Sequence, residues 1–151
     1  MKFLALLLVF LFSVPARAQN ADTPVPPSNI EYGRSCNDTR IVFWLSAPKR
    51  GDSLNVLIVT DDYALKTSAA LIALGFIKVN RIIGYANGAP CRLLVSPAWV
   101  IPFPLIYGVG KGSLFRVPND PLLKGLRLFA QAYYNGSGDL SMSRGQQMSV
   151  R

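Results

Sequence analysis

Residues 40–60, RIVFWLSAPKRGDSLNVLIVT, decide the fold class because they contain two strand patterns separated by a turn. The first pattern alternates, as expected for a strand with one face on a core, between Ile41, Phe43 and Leu45 on one side and Val42 and Trp44 on the other. The stretch 48–52 supplies turn residues, and residues 56–59 are apolar at every position, which predicts a strand covered on both faces. We expect Trp44 to be buried or half-buried.

The same pattern continues from residue 32 to residue 151. Short runs rich in Val, Ile, Leu and Phe are separated by Gly, Pro, Asn and Asp, which predicts an all-β fold. We predict a jelly-roll-like antiparallel β-sandwich of about 8 strands. A short helical turn is expected near residues 120–124, because Asp120 suits a cap, Pro121 a first helical position and Gly125 an exit.

Three segments of this fold are less regular. Residues 68–77 are compatible with a helix or a strand, and their short length and the Gly75-Phe76 ending favour a strand. Pro102 and Pro104 remove two ladder donors, which predicts an edge or an irregular crossing for residues 99–107. Residues 108–112, GVGKG, are predicted to form a loop, and they lack the spacing of a phosphate-binding loop.

In residues 126–134, we expect one alternating set to face the core, namely Leu126, Leu128, Ala130 and Ala132.

The first 18 residues have the three parts of a secretory signal peptide. Lys2 precedes the apolar run 3–12, and the triplet Ala16-Arg17-Ala18 supplies small residues at a cleavage site. A transmembrane anchor would need roughly 20 apolar residues, so we predict cleavage after Ala18 and no anchor in the mature chain. The mature protein is expected to be secreted, periplasmic or on the cell surface, with a Pro-rich tether over 19–31 and one domain over 32–151.

The two cysteines, Cys36 and Cys91, both lie in the exported part. An even number of cysteines in an oxidising compartment favours a disulfide. A metal site and a catalytic thiol are the alternatives. The chain contains no His, which weakens both of them.

The same absence of His removes Ser-His-Asp and Cys-His catalysis. Asp61 and Asp62 are adjacent, and neighbouring side chains of a strand point to opposite faces, so they are poorly placed as an acid/base pair. We interpret them as solvated turn residues. The sequence therefore predicts a protein that is not an enzyme and has no cofactor or metal.

Charge and aromatic residues suggest how the protein could bind. The formal net charge of +8 favours association with polyanions, although a basic solvated surface without a ligand explains the charge equally well. Two candidate surfaces combine aromatic and basic side chains. The first predicted set is Trp99, Phe103 and Tyr107 in a shared outward register, and the second is Arg127 with Tyr133 and Tyr134.

A series of short motifs runs through most of the mature chain. Landmarks are Tyr32-Gly33 before Cys36, Ala47-Pro48, Leu74-Gly75-Phe76, Cys91-Arg92-Leu93-Leu94, the segment Val117-Pro118-Asn119-Asp120-Pro121 with Gly125-Leu126, and Phe129-Ala130-Gln131-Ala132. Their order resembles an uncharacterised family of small secreted bacterial domains with no assigned function. The resemblance implies a β-sandwich with one disulfide between Cys36 and Cys91, and it implies no catalytic residues.

These observations support two hypotheses of function. The first is a non-catalytic exported module with a structural or adhesive role. The second is a binding module for an acidic polysaccharide or another envelope polyanion, with an envelope protein as a further possible partner and no specific nucleic acid. An enzyme ranks third, and no feature of the sequence fixes an oligomeric state.

Overall fold

A computed structural model describes residues 29–37, 40–136 and 140–151. Over these residues the all-β prediction is confirmed, because the chain forms antiparallel strands and one short 3-10 turn. The strands are β1 (Asn29–Tyr32), β2 (Ile41–Leu45), β3 (Ser53–Thr60), β4 (Thr67–Gly75), β5 (Ile77–Ala86), β6 (Ala89–Ser96), β7 (Trp99–Ile106), β8 (Val109–Arg116), β9 (Arg127–Asn135), β10 (Leu140–Met142) and β11 (Gly145–Ser149).

Nine of these strands form one nearly closed sheet. Its order is β1-β11-β9-β4-β7-β8-β3-β2, and β10 pairs with β9 beside this path. Apolar side chains alternate along the strands, and those on the inner face form the core. The fully buried aliphatic members are Leu45, Leu54, Ile58, Ile72, Leu74, Leu105 and Met148.

Side chains of β1 and β11 at one end of this sheet bond to β2 at the other end. The carboxamide of Gln146 on β11 donates to the Phe43 carbonyl, and its oxygen accepts from Leu45 N–H at 3.1 Å. One side-chain amide thus pairs with β2 as a backbone peptide group would. Asn29 of β1 adds a bond from its amide nitrogen to the Leu45 carbonyl. Because buried strand edges need hydrogen-bond partners, these two amides complete the closure that the backbone leaves open.

The predicted irregularity around the prolines is present at the contact of β7 with β8. Strand β7 pairs with β4 from Thr67↔Ile106 to Leu74↔Trp99, but its ladder with β8 consists of Ile106↔Val109. Residues two apart in a strand present their backbone groups to the same neighbour, so Pro102 and Pro104 both lack a donor on one side.

The helical turn and the segment 68–77 follow the expectation. A 3-10 turn occupies Pro121–Leu123, and the Asp120 side chain accepts a hydrogen bond from Leu122 N–H at 2.9 Å. Gly125 follows with a φ of +81°, the left-handed conformation that glycine tolerates best. Strand β4 covers most of 68–77, so the strand interpretation is confirmed.

Four details of the sequence interpretation are wrong. Trp44 is 49% exposed on the outer face of β2, because only the opposite face of that strand meets the core. Strand β3 is fully covered on one face, and Leu57 and Val59 are half-buried. Residues 109–112 belong to strand β8, and the turn lies one step earlier at Tyr107-Gly108. Residues 29–31 of the predicted tether form part of β1, which pairs with β11, while 1–28 lie outside the described residues.

Candidate binding surface

A second, two-stranded sheet projects from the main sheet. Strands β5 and β6 pair with each other as a hairpin around Asn87-Gly88, whose φ angles are +50° and +76°. Such positive φ values are typical of a two-residue hairpin turn with Asn-Gly. None of the ten residues of β5 is buried, whereas β6 contains buried Cys91, Leu94 and Val95. The hairpin therefore docks through β6 and presents β5 to the surroundings.

The disulfide fixes the hairpin to the segment after β1. Cys36 and Cys91 are bonded, and both are completely buried. This confirms the predicted disulfide. Met142 of β10 packs against the pair. The bond therefore ties the segment after β1 to the hairpin, and Met142 packs a C-terminal strand against it.

Gln131 of β9 connects the outer edge of β6 to the main sheet. Its side-chain oxygen accepts from Leu94 N–H at 2.9 Å, and its nitrogen donates to the Arg92 carbonyl at 2.9 Å and to the Ser143 carbonyl at 3.0 Å. The residue is fully buried. As with Gln146, the glutamine side chain supplies the hydrogen bonds that a peptide group of a neighbouring strand would otherwise make.

Two side chains from the β1 region satisfy the rest of this edge. The Tyr32 hydroxyl donates to the Leu94 carbonyl at 2.9 Å. Ser35 Oγ accepts from Arg92 N–H at 2.8 Å and donates to the Arg92 carbonyl at 3.1 Å. The Tyr32 ring also supports Lys78 of β5, whose Nζ lies 4.3 Å from the ring centroid. The hairpin is thus held by polar contacts along one edge.

Gly75, between β4 and β5, is a position at which any side chain would disturb this docking. A Cβ atom there would collide with the Ser96 carbonyl oxygen and lie 3.1 Å from Val95 Cγ1. We expect Gly75→Ala to lower the free energy of unfolding by about 2 kcal/mol, since the obstacle is backbone. Gly84→Ala on β5 is the matched control, because a Cβ there meets nothing within 4 Å. If urea unfolding showed the same loss of free energy of unfolding in both variants, the contact with Ser96 would be unimportant.

Two half-buried tyrosines at this docking edge predict a loss of stability at alkaline pH. Burial raises the pKa of Tyr32 above its ordinary value, with a smaller contribution from Tyr133, and burial raises the pKa of Tyr133 to about 12. A raised tyrosine pKa means that the fold favours the neutral phenol. We therefore expect the free energy of unfolding to hold below pH ~10 and to fall as the pH rises from about 10 through 12.

Denaturant titrations from pH 8 to 12 test this expectation. The double variant Tyr32→Phe/Tyr133→Phe should show a shallower decline than the parent, because neither ring can ionise. Tyr85→Phe, on the exposed part of β5, is the control. A decline of equal slope in the parent and in the double variant would contradict the assignment.

The register of the hairpin separates two kinds of side chain. Directly paired residues share a face of a sheet. Ile77, Ile82 and Tyr85 pair with Ser96, Arg92 and Pro90, which lie at alternate positions of β6 and so share one face. Lys78 and Arg81 pair with Val95 and Leu93 on the other face. Among these paired residues of β5, the three apolar side chains therefore lie on one face and the two basic ones on the other, and Arg92 of β6 lies on the first face.

The charged residues in the stretch of sequence that contains the hairpin all have one sign. From Tyr63 to Asn119, a range that includes strands β4 to β8, the sequence contains no Asp or Glu. The same range contains six basic residues, namely Lys66, Lys78, Arg81, Arg92, Lys111 and Arg116. Carboxylates occur outside this range, where Asp61 accepts from Arg40 at 2.6 Å and Glu31 lies 3.5 Å from Arg144. A molecule approaching β5 therefore meets cations without neighbouring carboxylates from those five strands.

The first aromatic set predicted as a binding platform is not assembled. Phe103 is buried in the core, because residues 99, 101, 103 and 105 of β7 alternate toward the inside, so the predicted outward register is wrong. Trp99 is 39% exposed and packs edge-on against Phe76, with ring centroids 5.3 Å apart. Tyr107 is exposed in the turn at the other end of the strand.

The second predicted set is also divided. Tyr133 and Tyr134 are neighbours on β9 and point to opposite faces. Tyr134 is buried and donates to Asp62 at 3.2 Å, while half-buried Tyr133 donates to the Gln131 oxygen at 3.3 Å. Arg127 is exposed at the opposite end of β9. These residues therefore do not form one surface.

Sequence reasoning missed β5 as a surface. Its segment, IKVNRIIGYA, is rich in β-branched residues but lacks a clean alternation of apolar and polar positions. The alternation is broken because the ladder between β5 and β6 shifts register twice, between Lys78 and Arg81 and between Ile82 and Gly84. The missing acidic residues from 63 to 119 were the signal that could have drawn attention to this strand.

The interpretation of both acidic residues after β3 as solvated is wrong for Asp62. Asp62 is buried against Tyr134, and a Cβ at Gly136 would collide with both side chains.

Within the described residues, no three His, Cys, Asp or Glu side chains are grouped as metal ligands. Across 29–37, 40–136 and 140–151, no helix has the length and hydropathy needed to span a bilayer.

The comparisons with known proteins gave no match. No protein-family model, curated protein or solved structure matches this chain. Membership of the secreted bacterial family that the motifs resemble therefore stays a prediction.

Proposed function

We propose that the protein is a non-catalytic, exported binding module that attaches to a polyanion of the cell envelope through the β5–β6 hairpin. The observation that carries the proposal is the run from Tyr63 to Asn119, which combines six basic residues with no carboxylate. An excess of positive charge attracts polyanions at long range, and exposed cations can approach them closely. The absence of His from the sequence supports a role without acid/base catalysis.

The docking of the hairpin supports the same role. The disulfide and Gln131 hold β6, so β5 is presented on a fixed support. A surface that is already ordered loses little conformational entropy when it binds. Lys78 and Arg81 on one face of β5 supply the charge.

Retention on immobilised heparin, used as a model polyanion, tests the proposal. At low salt the parent protein should be retained more strongly than a basic protein of similar size and charge, and retention should fall as salt rises. Lys78→Gln/Arg81→Gln should weaken binding by about tenfold, if each charge contributes roughly 0.7 kcal/mol.

The control variant is Lys49→Gln/Lys124→Gln, which removes two exposed charges outside the carboxylate-free range. It has the same net charge as the hairpin variant and should bind almost as the parent does. Equal weakening of both variants would show that only net charge matters. No retention of the parent beyond the basic reference protein would contradict the proposal. Melting temperatures of the three proteins separate loss of charge from loss of fold, since Lys78 also contacts Tyr32.

A further inference from the structure

The apolar side of β5 is more exposed than binding to a soluble polyanion requires. Ile77 is 63% exposed, Ile82 is 43% exposed and Tyr85 is 71% exposed, and all three lie on one face of the hairpin. The ring pair Phe76 and Trp99, with exposures of 38% and 39%, lies at the base of β5. Exposed apolar residues that are contiguous and bordered by charge mark an interaction site.

The composition of this row fits a lipid interface better than a sugar chain. Sugars stack on flat aromatic rings, and isoleucines offer them no such plane. A membrane interface accepts both aliphatic and aromatic side chains, and Trp and Tyr concentrate at its headgroup level. Basic residues near an anionic leaflet each contribute about 1 kcal/mol of attraction.

An added peptide strand fits the hairpin less well. Within the described part of the chain, β5 pairs with β6 alone, so its outer edge has no ladder partner. However, the register shifts place one extra residue in β5 at two points, and Lys78 and Arg81 lie along it. Bulges and basic side chains are devices that discourage pairing at sheet edges. The side chains of β5, rather than its backbone, are therefore available for recognition.

We propose that the outer edge of β5 rests on the surface of an anionic lipid bilayer, so that Ile77, Ile82 and Tyr85 on one face reach the headgroup level and Lys78 and Arg81 on the other face lie beside the lipid phosphates. The lipid assignment rests on the proposed polyanion binding and names the source of the negative charge. The open backbone edge of β5 limits the depth, because unpaired N–H and C=O groups do not enter the hydrocarbon region. The hairpin lies on the membrane without crossing it.

Co-sedimentation with phosphatidylcholine vesicles, with and without phosphatidylglycerol, is the first test. The parent should bind the anionic vesicles and release at high salt. Ile82→Ser/Tyr85→Ser should reduce binding to anionic vesicles at least about tenfold, because two apolar side chains no longer enter the interface. The matched control is Val42→Ser/Trp44→Ser on the outer face of β2, where exposures are 58% and 49%. It should bind as the parent does.

Tryptophan emission reports where the membrane contacts the protein. The chain has two tryptophans, so Trp44→Phe leaves Trp99 as the reporter at the base of the hairpin. Its emission should shift to shorter wavelength when phosphatidylglycerol vesicles are added. In the Trp99→Phe variant, the remaining Trp44 should show no shift.

The outcomes separate the two proposals. Retention on heparin without vesicle binding would overturn the lipid assignment and leave the polyanion-binding function in place. Absence of both heparin retention and vesicle binding would overturn the polyanion-binding function and the lipid assignment. Vesicle binding that falls equally in the hairpin and β2 double variants, while both remain folded by circular dichroism, would overturn the assignment to β5.

Discussion

Replacement of Gln131 by Leu is expected to lower the free energy of unfolding by about 4 kcal/mol, enough to unfold most of a marginally stable domain at moderate temperature. The side chain is fully buried and bonds to Leu94 N–H and to the carbonyls of Arg92 and Ser143. Leucine has a similar volume but no polar atoms, so three buried backbone groups would lose a partner. Each such loss costs roughly 1–3 kcal/mol.

Gln147→Leu is the matched control for this substitution. Gln147 is half-buried on β11, and the same exchange there should cost less than about 1 kcal/mol. Urea unfolding followed by circular dichroism gives both values. Hydrogen exchange should further show that amides of β6 lose protection first in Gln131→Leu. A loss no larger than that of Gln147→Leu would show that the hairpin does not depend on this amide.

Removal of the disulfide is the second change with a large expected effect. Its closed loop spans a sequence separation of 55 residues, for which the chain-entropy relation gives about 4 kcal/mol of stabilisation. Cys36→Ala/Cys91→Ala should lose about this amount, as should the parent protein after reduction. The loss should be largest for the hairpin, because the bond attaches β6 to the segment after β1.

Denaturant unfolding of the oxidised, reduced and double-variant proteins measures this contribution. The reduced parent controls for the packing that two alanines remove, since it keeps both sulfur atoms. Alkylation of the native, unreduced protein should label no thiol. Two labelled thiols, or equal unfolding midpoints before and after reduction, would contradict the assignment.

Much of the fold could be predicted from the sequence because the relevant signals are local. The alternation of Ile41, Phe43 and Leu45 gave a one-sided strand, and the same reasoning placed Leu128, Ala130 and Ala132 on the core side of β9. Asp120 and Pro121 identified the helical turn. The closure of the sheet could not be predicted, since it depends on Gln146 meeting β2, more than a hundred residues earlier in the chain.

The candidate surface was harder to predict than the fold. Exposure depends on which elements cover a strand, and sequence spacing says nothing about that covering. Phe103 and Trp44 show the difficulty, because Phe103 is expected to point outward and is buried, whereas Trp44 is expected to be buried and is exposed. The two register shifts of β5 additionally break the period from which its faces would be inferred. The absence of carboxylates from 63 to 119, in contrast, can be seen in the sequence without knowledge of register.

The pairing of β1 with β11 has a consequence for the order of folding. Asn29 lies opposite Met148 and Tyr32 opposite Gly145, so a strand near the start of the domain completes the sheet with a strand near its end. Gln146 on that same strand bridges to β2. A chain that emerges from its N-terminal side first cannot close this sheet until residues 145–149 are available. Because this pairing is non-local, it slows the folding of the whole sheet.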